Sequence, residues 1–243
     1  MELAAYRIRN FRRLTDAVIS LESDFTVLVG ANNSGKTSAA HGLQMFAAGE
    51  KQKFTIHDFG VACWSSFDNQ DKAPNVALGE LPRMWADIWF SVNPEDLALA
   101  VDLLPSLRWH GTHVGIRVEF GPRNDEALLD NYRSARDEAK ARKGDDEAGY
   151  HPWPRTLREY LEKQLQKEYV FRYFKLDDAM IDEEFKTRPG AGAPVEIPEG
   201  DRDGKSILGS LLRVDFMGAQ RHLSDAEGGR NQALSSRLAR FYE

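Results

Sequence analysis

The sequence predicts an α/β fold in which an antiparallel β-subdomain and inserted helices accompany a strand–loop–helix unit. Three observations predict it. Residues 25–29 (Phe-Thr-Val-Leu-Val) are a short apolar, β-branched run, as expected of a buried parallel strand. Residues 30–38 (Gly-Ala-Asn-Asn-Ser-Gly-Lys-Thr-Ser) contain the full G-x-x-x-x-G-K-[ST] pattern of a phosphate-binding loop (Walker A), and residues 36–48 then suit a helix. Residues 83–92 and 112–120 read as further strands, the second with Val114, Ile116, Val118 and Phe120 alternating onto one face.

Taken in order, residues 3–9 alternate weakly and predict a first strand, and residues 17–21 a second. The third, 25–29, feeds the loop. Gly49 is a plausible stop for the helix that follows. A loop containing Gly60, Asn69 and Pro74 is expected next. Pro94–Leu104 reads as a short helix capped by Asn93, with Pro94 in its first turn. Residues 124–143 are charged and helix-favouring with a thin apolar face, which predicts a solvated helix carrying its own ion pairs. Thr156–Val170 is a helix with Leu157, Leu161 and Leu165 at i, i+4 spacing, and 169–176 is a strand. Residues 187–206 are crowded with Pro, Gly and Asp and predict a flexible loop or insertion. Residues 207–217 regain core character, and Ser235–Tyr242 begin a helical pattern.

The loop residues carry their own chemistry. Gly30 and Gly35 tolerate backbone angles that other residues resist, so amide N–H groups can converge on phosphate oxygens. Asn32, Asn33 and Ser34 complete that loop. The helix behind it directs its positive end at the same anion. Lys36 is expected to reach the terminal phosphates and the Thr37 hydroxyl to ligate Mg²⁺. Ser38 either adds a phosphate contact or is a small residue of the first helical turn.

Composition bounds the rest. The chain has 243 residues, 42% of them hydrophobic, which is enough apolar mass for a core. No apolar run approaches the roughly 20 residues needed to cross a bilayer. The start, Met1-Glu2-Leu3, has no basic stretch followed by an apolar one, so no secretory signal is expected. Cys63 is the only cysteine, which rules out an intrachain disulfide and fits a reducing cytoplasm. Net charge is −6, whereas a protein that coats DNA by charge alone is usually basic. Arg7, Arg9, Arg12 and Arg13 nevertheless form a local basic cluster.

Residues 6–14 (Tyr-Arg-Ile-Arg-Asn-Phe-Arg-Arg-Leu), a strand, and the loop near residue 30 resemble the opening of ABC-type ATPases of the SMC/RecF group. Within that group, residues 30–38 most resemble the OLD-family ATPases (overcoming lysogenization defect), which join an ATPase head to a TOPRIM nuclease and often act against phage. Residues 215–221 (Asp-Phe-Met-Gly-Ala-Gln-Arg) resemble the family's strand leading into a Q-loop. The resemblance implies a P-loop NTPase half-head of ABC type that binds ATP and Mg²⁺ at residues 30–38. It implies ATP-gated head-to-head dimerisation, DNA as a partner, and a nuclease or other effector partner. Lys36 and Gln220 are then the catalytic candidates, and Arg12 a phosphate or DNA contact beside Arg13. The reading treats 1–243 as an N-terminal ATPase region with 121–206 inserted. Walker B, the signature motif and any nuclease acids are expected beyond residue 243. Neither Ile181-Asp182-Glu183-Glu184 nor Leu211-Leu212-Arg213-Val214-Asp215 makes a good Walker B strand, the first lacking the strand and the second a following glutamate.

Other candidates are weaker. His57 with Asp58 suggests proton transfer only if the two converge. Cys63, His110 and His113 lack zinc spacing. Trp85, Trp89 and Phe90 read as core, with base stacking as the functional alternative. A nucleotide-dependent scaffold with little turnover is the main alternative function. A P-loop kinase would need clustered lid arginines, for which Arg230, Arg237 and Arg240 are the late candidates.

Overall fold

The computed structural model describes residues 1–69, 81–106, 108–141, 153–200 and 202–215. The chain opens with a hairpin, β1 (Glu2–Phe11) and β2 (Leu14–Ser20), followed by α1 (Lys36–Ala48) and α2 (Val61–Asn69). Then come β3 (Met84–Ser91), α3 (Leu97–Ala100), β4 (His113–Pro122), α4 (Asp125–Ala141), α5 (Leu157–Glu168) and β5 (Tyr169–Asp177). The short β6 (Val195–Glu196) and α6 (Gly204–Leu211) complete the described elements. All six strands form one antiparallel sheet in the order β2-β1-β3-β4-β5-β6.

Period-two alternation divides the sheet into two faces. Tyr6 and Ile8 of β1, Met84, Ala86, Ile88 and Phe90 of β3, and the predicted Val114, Ile116, Val118 and Phe120 of β4 enter one large core with the helices. Their neighbours Ala5, Trp89 and Leu176 point the other way, into a small second cluster with Ile181. A ring cluster ties α1 to the sheet. Phe54 lies 5.2 Å from Phe46 of α1, 5.0 Å from Phe120 of β4 and 5.3 Å from Phe171 of β5, centroid to centroid. Gly42 lets α1 approach β1 closely, because a Cβ there would stand 2.5 Å from Ile8 Cδ1.

The predicted α1 has its expected bounds, and Gly49 (φ 57°) closes it by donating its N–H to Met45 and Phe46 carbonyls. Asn93 and Asp96 form a capping box at the one-turn helix Pro94–Asp96 that precedes α3. Thr156 caps α5 by accepting from the Glu159 N–H at 3.2 Å.

Five expectations are corrected. Residues 25–29 are no buried parallel strand: Phe25, Val27 and Val29 are 77%, 67% and 89% exposed, and none of 22–30 is in a strand. Strand formation needs a hydrogen-bonding neighbour, and β2 ends at Ser20 with no described strand alongside this run. The expected loop after residue 60 holds α2, whose Cys63 and Phe67 face the core. Within 187–206, Val195 and Glu196 pair with β5, and Asp203 starts α6 by accepting from the Ser206 N–H at 2.7 Å. Residues 207–211 are therefore helical, and Asp215 follows as an exposed residue beside Arg213, not at the end of a strand. The acids at 182–184 lie in a turn, where Asp182 accepts from the Glu184 and Lys186 N–H groups. Helix α4 is less solvated than its composition predicts, since Leu128, Leu129, Tyr132 and Ala139 are buried. Among the described residues no helix is long and apolar enough to cross a membrane, and no group of three His, Cys, Asp or Glu could hold a metal.

Candidate phosphate-binding site

The phosphate-loop residues fold at the start of α1, against the turn of the β1–β2 hairpin. Gly35 is the residue before the helix. Its φ of 100° is left-handed, and a Cβ there would stand 2.9 Å from Leu14 Cδ2, so both conformation and space call for glycine. Asn33 is also left-handed, at φ 70°. Short polar side chains accept that region more readily than most. Lys36 Nζ donates to the carbonyls of Gly30 at 2.6 Å and Ala31 at 2.7 Å, and lies 3.4 Å from Ser34 Oγ. It thereby closes the loop on itself. Arg13 donates to the Asn33 carbonyl at 3.3 Å.

A cavity of about 380 Å³ opens here. Arg12, Arg13, Asn32, Asn33, Gly35, Lys36, Thr37 and Ser38 line it. Among the described residues, three cations and no carboxylate face it, at the N-terminus of a 13-residue helix. That arrangement suits a multiply charged anion. The structure brings together the predicted Arg12, Asn32, Asn33, Gly35, Lys36, Thr37 and Ser38. Gly30 and Ser34 contribute through Lys36 rather than by lining the space. Gln220, Arg230, Arg237 and Arg240 lie outside the described residues.

Arg12 is held from three sides. Asp58, only 6% exposed, accepts from Arg12 Nε at 2.8 Å, and its carbonyl accepts from the Arg12 N–H at 2.6 Å. Arg12 Nη1 lies 3.3 Å from His41 Nδ1 of α1, Nη2 lies 3.8 Å from Met45 Sδ, and the guanidinium sits 4.9 Å from the Phe11 ring centroid. The Asp58 carboxylate is itself fixed by the Thr55 N–H and hydroxyl, at 2.8 and 3.0 Å. In the sequence, Asp58 had a proton-transfer role only if it converged with His57, which adjacent loop residues seldom do. The structure instead buries Asp58 beneath Arg12 and leaves His57 exposed. The only local signal was the Thr55…Asp58 spacing of a capping box. His41 and Met45, one turn apart on α1, carried none.

A left-handed glycine, a Gly-Lys-Thr helix start and a carboxylate-free cationic cavity define a phosphate-loop protein. The chain belongs to the AAA ATPase domain family (AAA_15), whose model matches residues 1–183. It is thus an ATPase domain of α/β class. No curated protein matches it. Among solved structures, a chain described as "Structural biochemistry of ATP-driven dimerization and DNA stimulated activation of SMC ATPases" is 17% identical to this one. The match covers 49% of this chain and 63% of that one, with a TM-score of 0.32. This chain therefore spans less than two thirds of the solved chain's length.

Asp58→Asn is expected to keep the fold and weaken ATP binding about tenfold. A hydrogen bond to a charged group contributes about 1.5 kcal/mol, and each 1.4 kcal/mol is about a factor of ten. Calorimetric titration with Mg·ATP reads the change. Equal affinities in parent and variant would show that Arg12 needs no such support.

Proposed function

We propose that this chain is the ATP-binding and hydrolysing head of an OLD-like, DNA-directed ATPase/nuclease system of the bacterial anti-phage type, working in the cytoplasm. The observation that carries the ATP site is the cavity at the start of α1, cationic on all its charged sides. Lys36 and Arg12 would hold the phosphates, with Asn32, Asn33 and Ser38 lining the same cavity, Ser34 acting through Lys36, and Gly30 and Gly35 setting the loop's path. Thr37 would hold Mg²⁺, which neutralises phosphate charge when bound. Hydrolysis is then in-line attack by water, achieved by positioning and charge stabilisation rather than covalent chemistry. Gln220 is the candidate for orienting that water. The Asn10-Phe11-Arg12 turn and residues 30–38 support the OLD-like assignment, and with it ATP-gated self-association, DNA handling and a nuclease or effector partner.

One observation favours a second reading, a nucleotide-dependent scaffold with little turnover. No carboxylate lines the cavity, so no acid among the described residues is placed to manage the attacking water. The two readings separate in steady-state phosphate release, compared with Lys36→Ala. Turnover equal to that of the variant rejects the enzyme. DNA binding at several salt concentrations, with and without Mg·ATP, tests the nucleic-acid role. Affinity that ATP does not change even at low salt rejects it.

A further inference from the structure

The sheet face turned away from α1 carries a second cationic cleft, of about 300 Å³. Arg7 and Arg9 of β1, Trp85, Asp87 and Trp89 of β3, and Arg117 of β4 line it. Register explains the gathering. Arg9 pairs with Trp85, Arg7 with Asp87, and Asp87 with Arg117, so all six side chains alternate onto the same face. Tyr6 and Ile8, the residues between, point to the opposite face, where α1 packs. The cleft is therefore separate from the phosphate loop.

Two of the three arginines are already engaged. Arg7 grips Asp16 through Nε and Nη2, both at 2.7 Å, and donates Nη1 to Thr187 at 2.6 Å. Arg117 grips Asp87 at 2.6 and 2.9 Å. Arg9 has no ion pair among the described residues. It is exposed, and its guanidinium lies 5.0 Å from the Trp85 ring centroid, with Arg117 at 4.8 Å from the same ring. Arg7 is balanced by Asp16 and Arg117 by Asp87, so the surplus positive charge of the lining is that of Arg9. Leu176, Met180 and Ile181 supply an apolar wall beside Trp89.

We infer that this cleft binds a single nucleotide unit, its phosphate on Arg9 and its base over the half-buried Met180 and Pro194. A guanidinium offers paired donors that match phosphate oxygens. Apolar side chains accept the flat face of any base, and Met180 and Pro194 are the partly exposed apolar residues of the lining. The volume is at the small end of ligand pockets, so it takes one unit and not a stretch of duplex. A chain of net charge −6 with one free arginine here has no long electrostatic track for a double helix. The unit can come from a free nucleotide or from an unpaired position of single-stranded nucleic acid.

The test uses the full protein and its Lys36→Ala variant, which silences the phosphate loop. Tryptophan fluorescence is followed during titration with AMP, with a ten-nucleotide oligo-dT, and with inorganic phosphate. Saturable quenching by AMP or the oligonucleotide is expected, unchanged by Lys36→Ala and weakened at least tenfold by Arg9→Glu. Arg9→Glu breaks no ion pair but loses the Trp85 contact and sets a carboxylate across from Asp16, so a small fall in melting temperature is expected; Arg9→Ala, which avoids the like-charge pair and has a smaller loss of affinity, serves as a second variant. AMP binding as tightly as the oligonucleotide identifies a free-nucleotide site, and a clear preference for the oligonucleotide identifies a strand site. The inference is overturned by absence of binding, by affinity that both Arg9 variants retain, or by inorganic phosphate binding as well as AMP.

Discussion

Lys36→Ala is expected to remove ATP binding at the loop by at least about a hundredfold and to bring phosphate release to background. The ammonium does two jobs. It ties the loop by donating to Gly30 and Ala31, and it supplies one of only three cations facing the cavity. Each charge-assisted hydrogen bond that the ammonium would give to a phosphate oxygen is worth about 1.5–3 kcal/mol, so losing two reaches the hundredfold level. Thermal unfolding with and without Mg·ATP reads this directly. At a ligand concentration a hundred times the dissociation constant, binding stabilises the parent by about 2.7 kcal/mol, and the variant should show almost none of that shift. An equal ATP-induced shift in parent and variant would remove Lys36 from the site.

The largest effect on stability is expected from Phe54→Ala, at about 3–5 kcal/mol. Phe54 is fully buried, and its ring meets Phe11, Phe46, Phe120 and Phe171, which lie on β1, α1, β4 and β5. Edge-on and stacked rings add to the area they bury, and no flexible neighbour can refill the space in a close-packed cluster. Urea unfolding measures the loss. A cost below about 1 kcal/mol would mean that the cluster relaxes around the gap. Because the same ring anchors α1 to the sheet, Phe54→Ala should also weaken ATP binding at the start of that helix.

The legible parts of this chain were those with local causes. Gly35 and Gly49 bracket α1, and both act through their own backbone angles, so the helix limits could be read directly. The alternation of β4 is likewise written in consecutive residues. The role of Asp58 was not legible because its partner, Arg12, lies 46 positions away. Helix α2 has no cap signal that stands out from the loop composition around it. The charged ladder on the outer sheet face was visible only as scattered arginines and tryptophans until register aligned them.

By itself, the sequence determined the pattern of the candidate phosphate loop: a lysine and a threonine at fixed spacing from two glycines, whose effect is on main-chain geometry. It also determined which face of β4 is apolar. Tertiary structure alone decided whether an apolar run becomes a strand. Phe25–Val29 has every intrinsic preference for one, yet it is exposed, because a strand is stabilised by neighbours and not by its own residues. Tertiary structure likewise decided which arginines are spent and which are free, since a guanidinium's role is set by the carboxylates that folding brings within reach.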